Sequence, residues 1–350
     1  MNPIRIGRRE LGPGRPCFIA AEIGINHNGD LDLAHRAIEA AAAAGADAVK
    51  FQNYRTEDFL ADHALTYTYL SQGREITESQ FAMFKRCELG YPQLCELKAH
   101  CDHLGIAFFS TPTGLDGVRD LQRLGVVLLK NGSDYLTHLD LIRAMAATGL
   151  PTVLSTGMAT AAEIDDAVVA FRGAGGKDVI LLHCTSSYPT PAAEVNLRRI
   201  PVLAEAFACP SGFSDHTEGT AAVVGAVCLG ACFVEKHFTL DRGLPGPDHR
   251  FSADPGEFAE LVRAIRAVES SLGSPALGPT PSEAAGRAGF RLSCLAAAPL
   301  AAGIRLGPEH IRFQRPGTGL PPRLRDALLG RVLCRDVVAG HVFAWEDFHD

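Results

Sequence analysis

The sequence predicts a (β/α)8 barrel followed by a small β-rich domain. Short apolar runs alternate regularly with Ala/Leu-rich helical segments. Strands of a parallel sheet that is covered by helices are buried on both faces, so they read as continuous apolar runs, as these do. Eight strand–helix units in about 255 residues is the repeat number of a closed parallel barrel. The runs begin at Cys17, Asp47, Ile106, Val126, Pro151, Asp178, Pro210 and Ala231.

A composition break divides the chain near its last quarter. Gly, Pro and Ser cluster between residues 270 and 283, where the helical period stops, and this pattern predicts a linker. The segment beyond it has short apolar runs and many turns, which indicates a β-rich module. We therefore expect the barrel over residues 1–272, the linker over 273–287 and the module over 288–350.

Two local patterns inside the barrel add detail. Thr160 and Glu163 have the spacing of a capping box and predict that a helix starts there. The stretch 53–80, rich in Tyr, Thr and Glu, is too long for a plain strand-to-helix connection. We expect an elaborated loop over the barrel mouth at this point, and it is a candidate lid.

Composition excludes several classes of protein. The 350 residues are 47% hydrophobic and 21% charged, an ordinary globular balance that supports a large core. The net charge of -7 argues against a nucleic-acid partner, which would require a basic face. Apolar runs fall short of the ~18 residues that a membrane helix needs, so we expect no membrane partner. The ten cysteines lie mostly in apolar stretches without CxxC spacing, which predicts reduced, buried thiols in a cytoplasmic protein.

Two lysines close predicted strands. Lys50 and Lys130 each end an apolar run, where an unpaired ammonium is costly to desolvate, so each requires a bound anion or a carboxylate partner. A salt bridge to a barrel glutamate is the simpler alternative for either lysine alone. Two such lysines on separate strands, surrounded by hydroxyl groups, favour a phosphate site. The neighbouring hydroxyl residues are Ser110, Thr111, Ser133, Ser155 and Ser214.

Two histidines also follow buried runs. His216 and His237 end the seventh and eighth predicted strands, which are neighbours in a barrel. Two imidazoles placed in this way can ligate one divalent ion, with water or substrate in the open positions. A pair of hydrogen-bonded interior histidines is the alternative.

Two carboxylates are candidate acid–base or substrate groups. Glu22 follows the apolar run of the first strand, so it is either a general acid/base or a core ion-pair partner. Asp248 lies in the loop after the eighth strand, where it can reach a hydroxylated substrate or simply cap a turn.

Together these segments form a recognisable pattern. The motifs AEIGINHNG, KFQ, FFSTP, KNGS, LSTGM, HCTSSYPTP, GFSDHT, EKHFTLD, GPDH and RPGTG follow one another along nearly the whole chain. In this the sequence resembles the N-acetylneuraminate (sialic acid) synthase family. The resemblance implies a TIM barrel followed by an antifreeze-like (SAF) domain, in a domain-swapped homodimer whose tail domain caps the partner's active site. It also implies that phosphoenolpyruvate condenses with an N-acylated hexosamine aldehyde, with Mn or Mg assistance, to give a nine-carbon 2-keto-3-deoxy acid and phosphate.

The resemblance also implies roles for individual residues. The metal ligands would be His216 and His237, and Glu22 would move protons with Lys50 and Lys130 as the charged groups of the site. The phosphoenolpyruvate contacts would be Lys50, Thr111, Lys130, Ser133, Ser155, Ser186 and Ser214. The sugar contacts would be Glu22, Gln52, Tyr188, Asp248 and, from the partner subunit, Arg315.

Three positions depart from the family pattern. Where the family commonly has a glutamate two residues beyond the phosphate-contacting serine, this chain has Asp134 followed by Tyr135. Thr113 replaces the usual aromatic residue after STP, and Ser186 replaces an asparagine. The first two departures fall where the sugar would bind, so the identity of the sugar is left open.

Two other functions compete with a synthase of this type. The first is a phosphoenolpyruvate-dependent synthase for a neutral or phosphorylated sugar, and Arg55, Arg74 and Arg250 are then the candidates to bind the added phosphate. The second is a non-catalytic sugar-binding barrel. Retention of the strand-end lysines and histidines argues against it, because buried charged residues are costly to keep.

Overall fold

The computed structural model describes residues 3–349. The chain forms two compact units, of which one ends at Gly273 and the other begins at Ser274. The strands of the first unit are β1 (Ile4–Ile6), β2 (Arg9–Leu11), β3 (Phe18–Gly24), β4 (Ala48–Asn53), β5 (Thr66–Ser71), β6 (Arg74–Ser79), β7 (Ala107–Pro112), β8 (Leu129–Lys130), β9 (Thr152–Ser155), β10 (Val179–Cys184), β11 (Ser211–Asp215) and β12 (Phe233–His237). Its helices are α1 (Leu31–Ala43), α2 (Thr56–Phe59), α3 (Gln80–Cys87), α4 (Tyr91–Leu104), α5 (Leu115–Leu124), α6 (Leu139–Ala147), α7 (Ala161–Gly173), α8 (Arg199–Phe207), α9 (Ala221–Cys228) and α10 (Pro255–Leu272).

The predicted parallel (β/α)8 architecture is confirmed. Eight parallel strands pair in the order β7-β4-β3-β12-β11-β10-β9-β8, and helices follow them along the chain. Within residues 3–349 no ladder joins β7 to β8, which is only two residues long. All eight strands coincide with the predicted apolar runs, so the carboxyl ends of these runs meet at one end of the sheet.

Local signals explain where the helices begin and end. The predicted capping box is present, because Glu163 N donates to Thr160 Oγ1 while Thr160 N donates to Glu163 Oε2 at 2.7 Å. The helices α4 and α5 end at Gly105 and Gly125 in the left-handed conformation, with φ of 74° and 75°, which glycine adopts without steric penalty. Across residues 3–349, no helix is both long enough and apolar enough to cross a membrane.

Side chains alternate along each strand, and this alternation decides which of them enter the barrel. On β3, Ile19 and Ala21 pack outward in the large cluster shared with the helices. Phe18 and Ala20 point inward, and Glu22 has the same parity as they do. The inward apolar layers are Phe18, Ala20, Ala48, Phe109, Leu128, Val153, Ile180, Leu182 and Phe233. The next inward position on each strand therefore faces the open end, and there the residues are polar.

The amino-terminal hairpin closes the other end of the barrel. β1 and β2 pair antiparallel, and Ile4, Ile6 and Leu11 join the inward apolar cluster. Because these side chains are buried against the lowest barrel layer, the interior opens only toward the carboxyl ends of the strands.

The elaborated segment at 53–80 contains regular structure that the sequence analysis did not predict. It consists of the short helix α2 and the antiparallel hairpin β5–β6. The hairpin turns at Gln72 and Gly73, both with positive φ, which is the geometry of a type I′ turn. Its tip contacts the loop after β12, because Gln72 Nε2 donates to Gly243 O at 2.9 Å and Gly246 N donates to Ser71 Oγ at 3.1 Å. Movement of this segment as a lid stays a prediction.

The second unit contains α11 (Pro281–Phe290), β13 (Ser293–Ala296), β14 (Ile311–Gln314) and α12 (Arg325–Leu328). The strands pair antiparallel around a separate apolar cluster that includes Leu306, Leu333 and Phe343. α11 begins inside the segment predicted as a linker, because Thr280 and Glu283 form a capping box with proline at the first helical position. The ten cysteines of the chain form no disulfide within the described residues, and seven of them are buried.

Candidate active site

The inward polar residues surround a cavity of about 420 Å³ in the first unit. They come from the ends of all eight barrel strands and from the loops that follow. The predicted site residues that line the cavity are Glu22, Lys50, Gln52, Thr111, Lys130, Ser133, Ser155, Ser186, Tyr188, Ser214, His216, His237 and Asp248. The structure therefore brings these residues together. Ser110, which the sequence analysis also expected near the lysines, does not line the cavity, because it follows the inward-pointing Phe109 and its hydroxyl is buried without a hydrogen-bond partner.

Two lysines and two glutamates form a buried ion-pair network in this cavity. Lys50 Nζ lies 2.7 Å from Glu22 Oε2 and 3.8 Å from Glu235 Oε1, and Lys130 Nζ lies 3.4 Å from Glu235 Oε1. Each of the four side chains is at most 5% exposed. Each lysine thus has the carboxylate partner that the sequence analysis gave as the simpler alternative, and each also lines the cavity.

The network shifts the pKa values of the two glutamates in opposite directions. Burial, together with the nearby Glu235, raises the pKa of Glu22 to about 7 against the opposing effect of Lys50. Burial also acts to raise the pKa of Glu235, but Lys130 and Lys50 outweigh it and hold that pKa below its usual range. Glu22 can therefore carry a proton near neutral pH while Glu235 stays ionised, which is the difference needed for acid–base work.

A cluster of hydroxyl groups lies beside Lys130. Ser133 Oγ donates to Ser155 Oγ at 2.9 Å and accepts from Gly157 N at 3.1 Å. A side chain at Gly157 would collide with the hydroxyls of Ser133 and Ser186, so only glycine leaves this space open. Thr111 Oγ1, at the end of β7, accepts from Lys50 Nζ at 3.2 Å. Hydroxyls, a backbone N–H and two ammonium groups are together the donor set of an oxyanion site.

The two predicted metal ligands lie side by side. The ring centroids of His216 and His237 are 5.4 Å apart. His216 Nδ1 lies 2.9 Å from the carbonyl oxygen of Thr185, which can only accept, so Nδ1 carries a proton and Nε2 is the nitrogen that holds the lone pair when the ring is neutral. Burial and the positive charge of His216 and of nearby lysines hold the pKa of His237 well below its usual range, so this ring is neutral.

The residues present fit a divalent cation that takes further ligands from outside the protein. His237 Nδ1 is buried without a hydrogen-bond partner, 3.8 Å from Asp248 Oδ2, and an unmatched buried nitrogen is unfavourable. In the part of the chain that the structure describes, no three His, Cys, Asp or Glu side chains are arranged to hold a metal by themselves. Two imidazoles would therefore leave positions for substrate or water, as the sequence analysis expected.

The predicted sugar contacts lie around this histidine pair and Glu22. Gln52 Nε2 donates to Glu22 Oε1 at 3.3 Å, and the Tyr188 ring packs against His216 with a centroid distance of 4.2 Å. Burial raises the pKa of Asp248 to about 6. Arg315 belongs to the second unit, where its guanidinium lies over the Phe290 ring. Its predicted contribution to a partner's site stays a prediction.

The departures from the family pattern are part of the same cavity. Thr113, Asp134 and Tyr135 all line it, so they are placed to influence what binds there. Three arginines were considered for a phosphorylated sugar: Arg55 and Arg74 in the elaborated segment at 53–80, and Arg250 after β12. They are exposed and are not among the residues that line the cavity.

Sequence reasoning missed two residues of the site. Glu235 bridges both lysines, and the signal for it was available, because it lies two positions before His237 and must share its face of the strand. Asn131 was also missed. It is fully buried, and its Oδ1 accepts a hydrogen bond from Ser155 N at 2.8 Å, which fixes the strand end that carries Ser155.

The strand ends of this parallel barrel converge on buried lysines, a hydroxyl cluster and paired imidazoles. This is the active-site arrangement of a (β/α)8 enzyme. The chain belongs to the NeuB family, which it matches over residues 37–276, and residues 294–349 match the SAF domain. It is accordingly a transferase of the sialic acid synthase type, and the predicted family, architecture and enzyme class are confirmed.

Individual relatives support this assignment. The chain is 38% identical to N,N'-diacetyllegionaminic acid synthase of Legionella pneumophila over 344 residues, 97% of each protein. It is also 38% identical to N-acetylneuraminate-9-phosphate synthase of Homo sapiens over 288 residues, 79% of this chain and 78% of the relative. The crystal structure of sialic acid synthetase from Leptospira borgpetersenii in complex with citrate is similar, with a TM-score of 0.74 and 37% identity over 81% of this chain and 94% of that chain.

Proposed function

We propose that the protein condenses phosphoenolpyruvate with an N-acylated hexosamine aldehyde and releases a nine-carbon 2-keto-3-deoxy acid and phosphate. N-acetylmannosamine and related 2-acetamido or diacetamido hexoses are the proposed sugars. The observation that carries the proposal is that one cavity contains Lys50 and Lys130 beside a hydroxyl cluster and also Glu22 beside two histidines. One side of it suits an enol phosphate, and the other suits a polar sugar that must exchange protons.

Phosphoenolpyruvate would bind on the side of the lysines. Its carboxylate and phosphate oxygens would pair with Lys50 and Lys130 and accept hydrogen bonds from Ser133, Ser155 and Ser186, with Thr111 and Ser214 adjacent. Charge-assisted hydrogen bonds of this kind are short and strong in a buried site. The lysines would exchange part of their pairing to Glu22 and Glu235 for the incoming anion, so binding would alter the environment of both carboxylates.

The reaction then requires a C–C bond and a C–O bond to form and the C–O bond to phosphate to break. C3 of phosphoenolpyruvate attacks the aldehyde carbon, and the aldehyde oxygen takes a proton. Water adds to the cationic C2 and loses one proton. The C2 hydroxyl that remains gives its proton to the departing phosphate as the bond between C2 and the phosphate oxygen breaks and the ketone forms. Glu22 is the proposed proton carrier, because its carboxylate lies between the phosphoenolpyruvate side and the sugar side. Glu22 Oε2 is 2.7 Å from Lys50 Nζ, and Glu22 Oε1 accepts from Gln52 Nε2 at 3.3 Å. A proton given to the aldehyde oxygen is recovered from the water, so Glu22 ends as it began.

A divalent ion, Mn or Mg, would be held by His216 and His237. When bound, it supplies a Lewis acid that polarises a carbonyl oxygen. Tyr188 packs against both rings and restricts their orientation, with centroids 4.2 Å and 6.0 Å away. Asp248 and Gln52 would orient the sugar hydroxyls by hydrogen bonds.

We also propose that the active form is a domain-swapped homodimer in which the SAF domain supplies Arg315 to the partner's sugar site. Activity would then depend on assembly. Arg315→Ala and His237→Ala chains should each be inactive as homodimers. Mixed dimers should regain activity, because one of their two sites contains both residues. If mixing restores nothing although the two chains exchange subunits, Arg315 does not act across the dimer.

The decisive experiment measures phosphate release from phosphoenolpyruvate with Mn, across N-acetylmannosamine, mannose, their 6-phosphates and 2,4-diacetamido hexoses. We expect release with an N-acylated hexosamine and loss of release after chelation. Phosphoenolpyruvate labelled with 18O in the bridging position should pass its label to phosphate, since the C–O bond breaks. Absence of release with every sugar would favour the sugar-binding alternative, and best turnover of a 6-phosphate would favour the phosphorylated-sugar alternative.

A further inference from the structure

We propose that an apolar wall in the barrel cavity binds a methyl-bearing substituent of the sugar and disfavours a phosphate at the same place. The apolar wall consists of Ile25, Tyr54, Phe59, Met83 and Phe84, all of which line the cavity. The inference rests on the proposed function, because it assumes that the second substrate is a sugar.

The apolar wall is a packed unit that presents carbon to the cavity. The rings of Tyr54, Phe59 and Phe84 contact one another edge to face, with centroid distances of 5.5, 5.7 and 5.1 Å. The Tyr54 hydroxyl donates to the Phe84 carbonyl oxygen at 2.9 Å, so this polar atom is already satisfied. Ile25 packs in one cluster with these rings, and Met83, which directly precedes Phe84 on α3, is also almost fully buried. A hydroxyl or charge placed against this surface would lose water without gaining a partner.

The position of the apolar wall separates it from the proposed phosphate site. Ile25 directly follows β3, which carries Glu22, and Tyr54 directly follows β4, which carries Lys50 and Gln52. The hydroxyl cluster is built instead at the ends of β8, β9 and β10. In the strand order, β12 and β11 separate these strands from β3 and β4 on one side, and β7 separates them on the other. The apolar wall therefore borders the part of the cavity where Glu22, Gln52 and Asp248 would hold the sugar.

The charges of the first unit also argue against a second phosphate. Among its described residues that line the cavity, the lysines are Lys50 and Lys130, and both are already paired with carboxylates. Asp134 and Asp248 add further carboxylates to the same lining. Arg55, Arg74 and Arg250 are exposed and lie outside it. Within the first unit, a sugar phosphate next to the apolar wall would meet carbon and carboxylates instead of unpaired cations.

Two positions on a sugar can supply such a methyl group: C6 of a 6-deoxy sugar, or the acyl group on the amine. Single-change substrates distinguish them. A comparison of 2-acetamido-2,6-dideoxymannose with N-acetylmannosamine tests whether the apolar wall binds a methyl group at C6. A comparison of N-acetylmannosamine with N-formylmannosamine tests whether it binds the methyl group of the acyl substituent. N-acetylmannosamine 6-phosphate tests the exclusion of phosphate. The measured quantity is kcat/KM for each sugar at saturating phosphoenolpyruvate and Mn.

In at least one pair, we expect the methyl-bearing sugar to have a kcat/KM about 10-fold higher or more, because burial of one methyl group in an apolar pocket has an effect of this size. The 6-phosphate should be the poorest substrate. Met83→Gln should remove most of the preference, because it places an amide in the apolar wall. Ile25→Thr is the second variant, should the first fail to fold. Met158→Gln, the same change on the opposite side of the cavity, should leave the ratios between sugars unchanged.

The outcomes separate this inference from the proposed function. Turnover of several sugars with no preference in either pair, or with equal ratios in wild type and folded Met83→Gln, overturns the apolar-wall proposal and leaves the synthase proposal standing. A preference for the 6-phosphate also overturns it. Absence of phosphate release with every sugar overturns the proposed function, and this inference with it.

Discussion

Lys236 Nζ lies 2.7 Å from Asp215 Oδ2, and this buried ion pair joins the two strands that carry the histidines. Asp215 directly precedes His216, and Lys236 directly precedes His237. Because side chains alternate along a strand, the pair lies on the outer face of the sheet while both imidazoles point into the cavity. Thr217 N also donates a hydrogen bond to Asp215 Oδ1 at 2.9 Å, which holds the strand end in place. From the outer face of the sheet, the Asp215–Lys236 ion pair therefore fixes the position of the His216 ring relative to the His237 ring.

Asp215→Asn should weaken both the barrel and the histidine pair. The change leaves the Lys236 ammonium buried without a counter-charge, which typically costs about 3–5 kcal/mol. We expect the free energy of unfolding to fall by that order in denaturant titration and the affinity for Mn to fall in a direct binding measurement. Asp116→Asn removes an exposed ion pair with Arg119 and should change neither quantity measurably. Equal behaviour of the two variants would contradict a positioning role for the pair.

Lys130→Met should raise the KM for phosphoenolpyruvate more than it lowers kcat. Lys130 lines the cavity together with Ser133 and Ser155 on the proposed phosphate side. Hydrogen bonds to charged groups are worth about 1.5–3 kcal/mol, or roughly 10- to 100-fold in binding. Initial-rate kinetics with phosphoenolpyruvate as the varied substrate measures the effect. Lys177→Met is the matched control, since Lys177 is exposed on the loop before β10. An unchanged KM would remove Lys130 from the phosphate site.

Gly157→Ala should close the hydroxyl cluster without unfolding the barrel. The added methyl group would collide with the hydroxyls of Ser133 and Ser186, which must then turn away. We expect a loss of affinity for phosphoenolpyruvate of about 10-fold or more, the size of one or two lost hydrogen bonds, with an unchanged circular dichroism spectrum. Gly173→Ala meets nothing within 4 Å and serves as the control. Full activity of Gly157→Ala would show that the cluster tolerates an additional atom.

Asp347 gives the second unit a defined dependence on acid. Burial acts to raise its pKa, but hydrogen bonds from Ala344 N, His341 and Arg335 outweigh this and hold the pKa below its usual range. A carboxyl group with a lowered pKa stabilises the fold above its unfolded pKa, about 3.9, and the contribution is lost as pH falls through the lower folded value.

Asp347→Asn should therefore lower the melting temperature of the second unit at pH 6, and the difference from wild type should shrink below about pH 4. Thermal unfolding of the full chain between pH 3 and pH 7 measures both. Asp326→Asn, at a carboxylate whose side chain is 89% exposed, should have little effect at any pH. A difference that grows toward low pH would contradict the assignment.

Much of the site could be predicted from the sequence because buried strands are easy to recognise and their ends are informative. Lys50, Lys130, His216 and His237 stand out, since a polar group that follows an apolar run needs a reason to be there. Glu235 was harder to interpret. In the segment Glu235–His237 three consecutive polar side chains alternate across the strand, so Glu235 can be assigned to the cavity only after His237 has been.

The fold was missed where a weak local signal decided the structure. The hairpin β5–β6 turns at Gln72 and Gly73 and not at the Asn-Gly pair that usually marks such turns. The helix α11 starts at a capping box that lies inside a segment rich in Gly, Pro and Ser. The apolar wall was also invisible, because Ile25, Tyr54 and Met83 are ordinary apolar residues until the loops bring them together.

The ion-pair network has a consequence for how substrate is selected. Lys50 and Lys130 are paired with Glu22 and Glu235, and Asp134 and Asp248 belong to the same lining, so the open cavity presents no excess of positive charge to solvent. We therefore expect no long-range electrostatic attraction of inorganic anions to the cavity. An anion is admitted only when it makes enough close contacts to displace an internal carboxylate, so selection depends on shape at short range and should vary little with ionic strength.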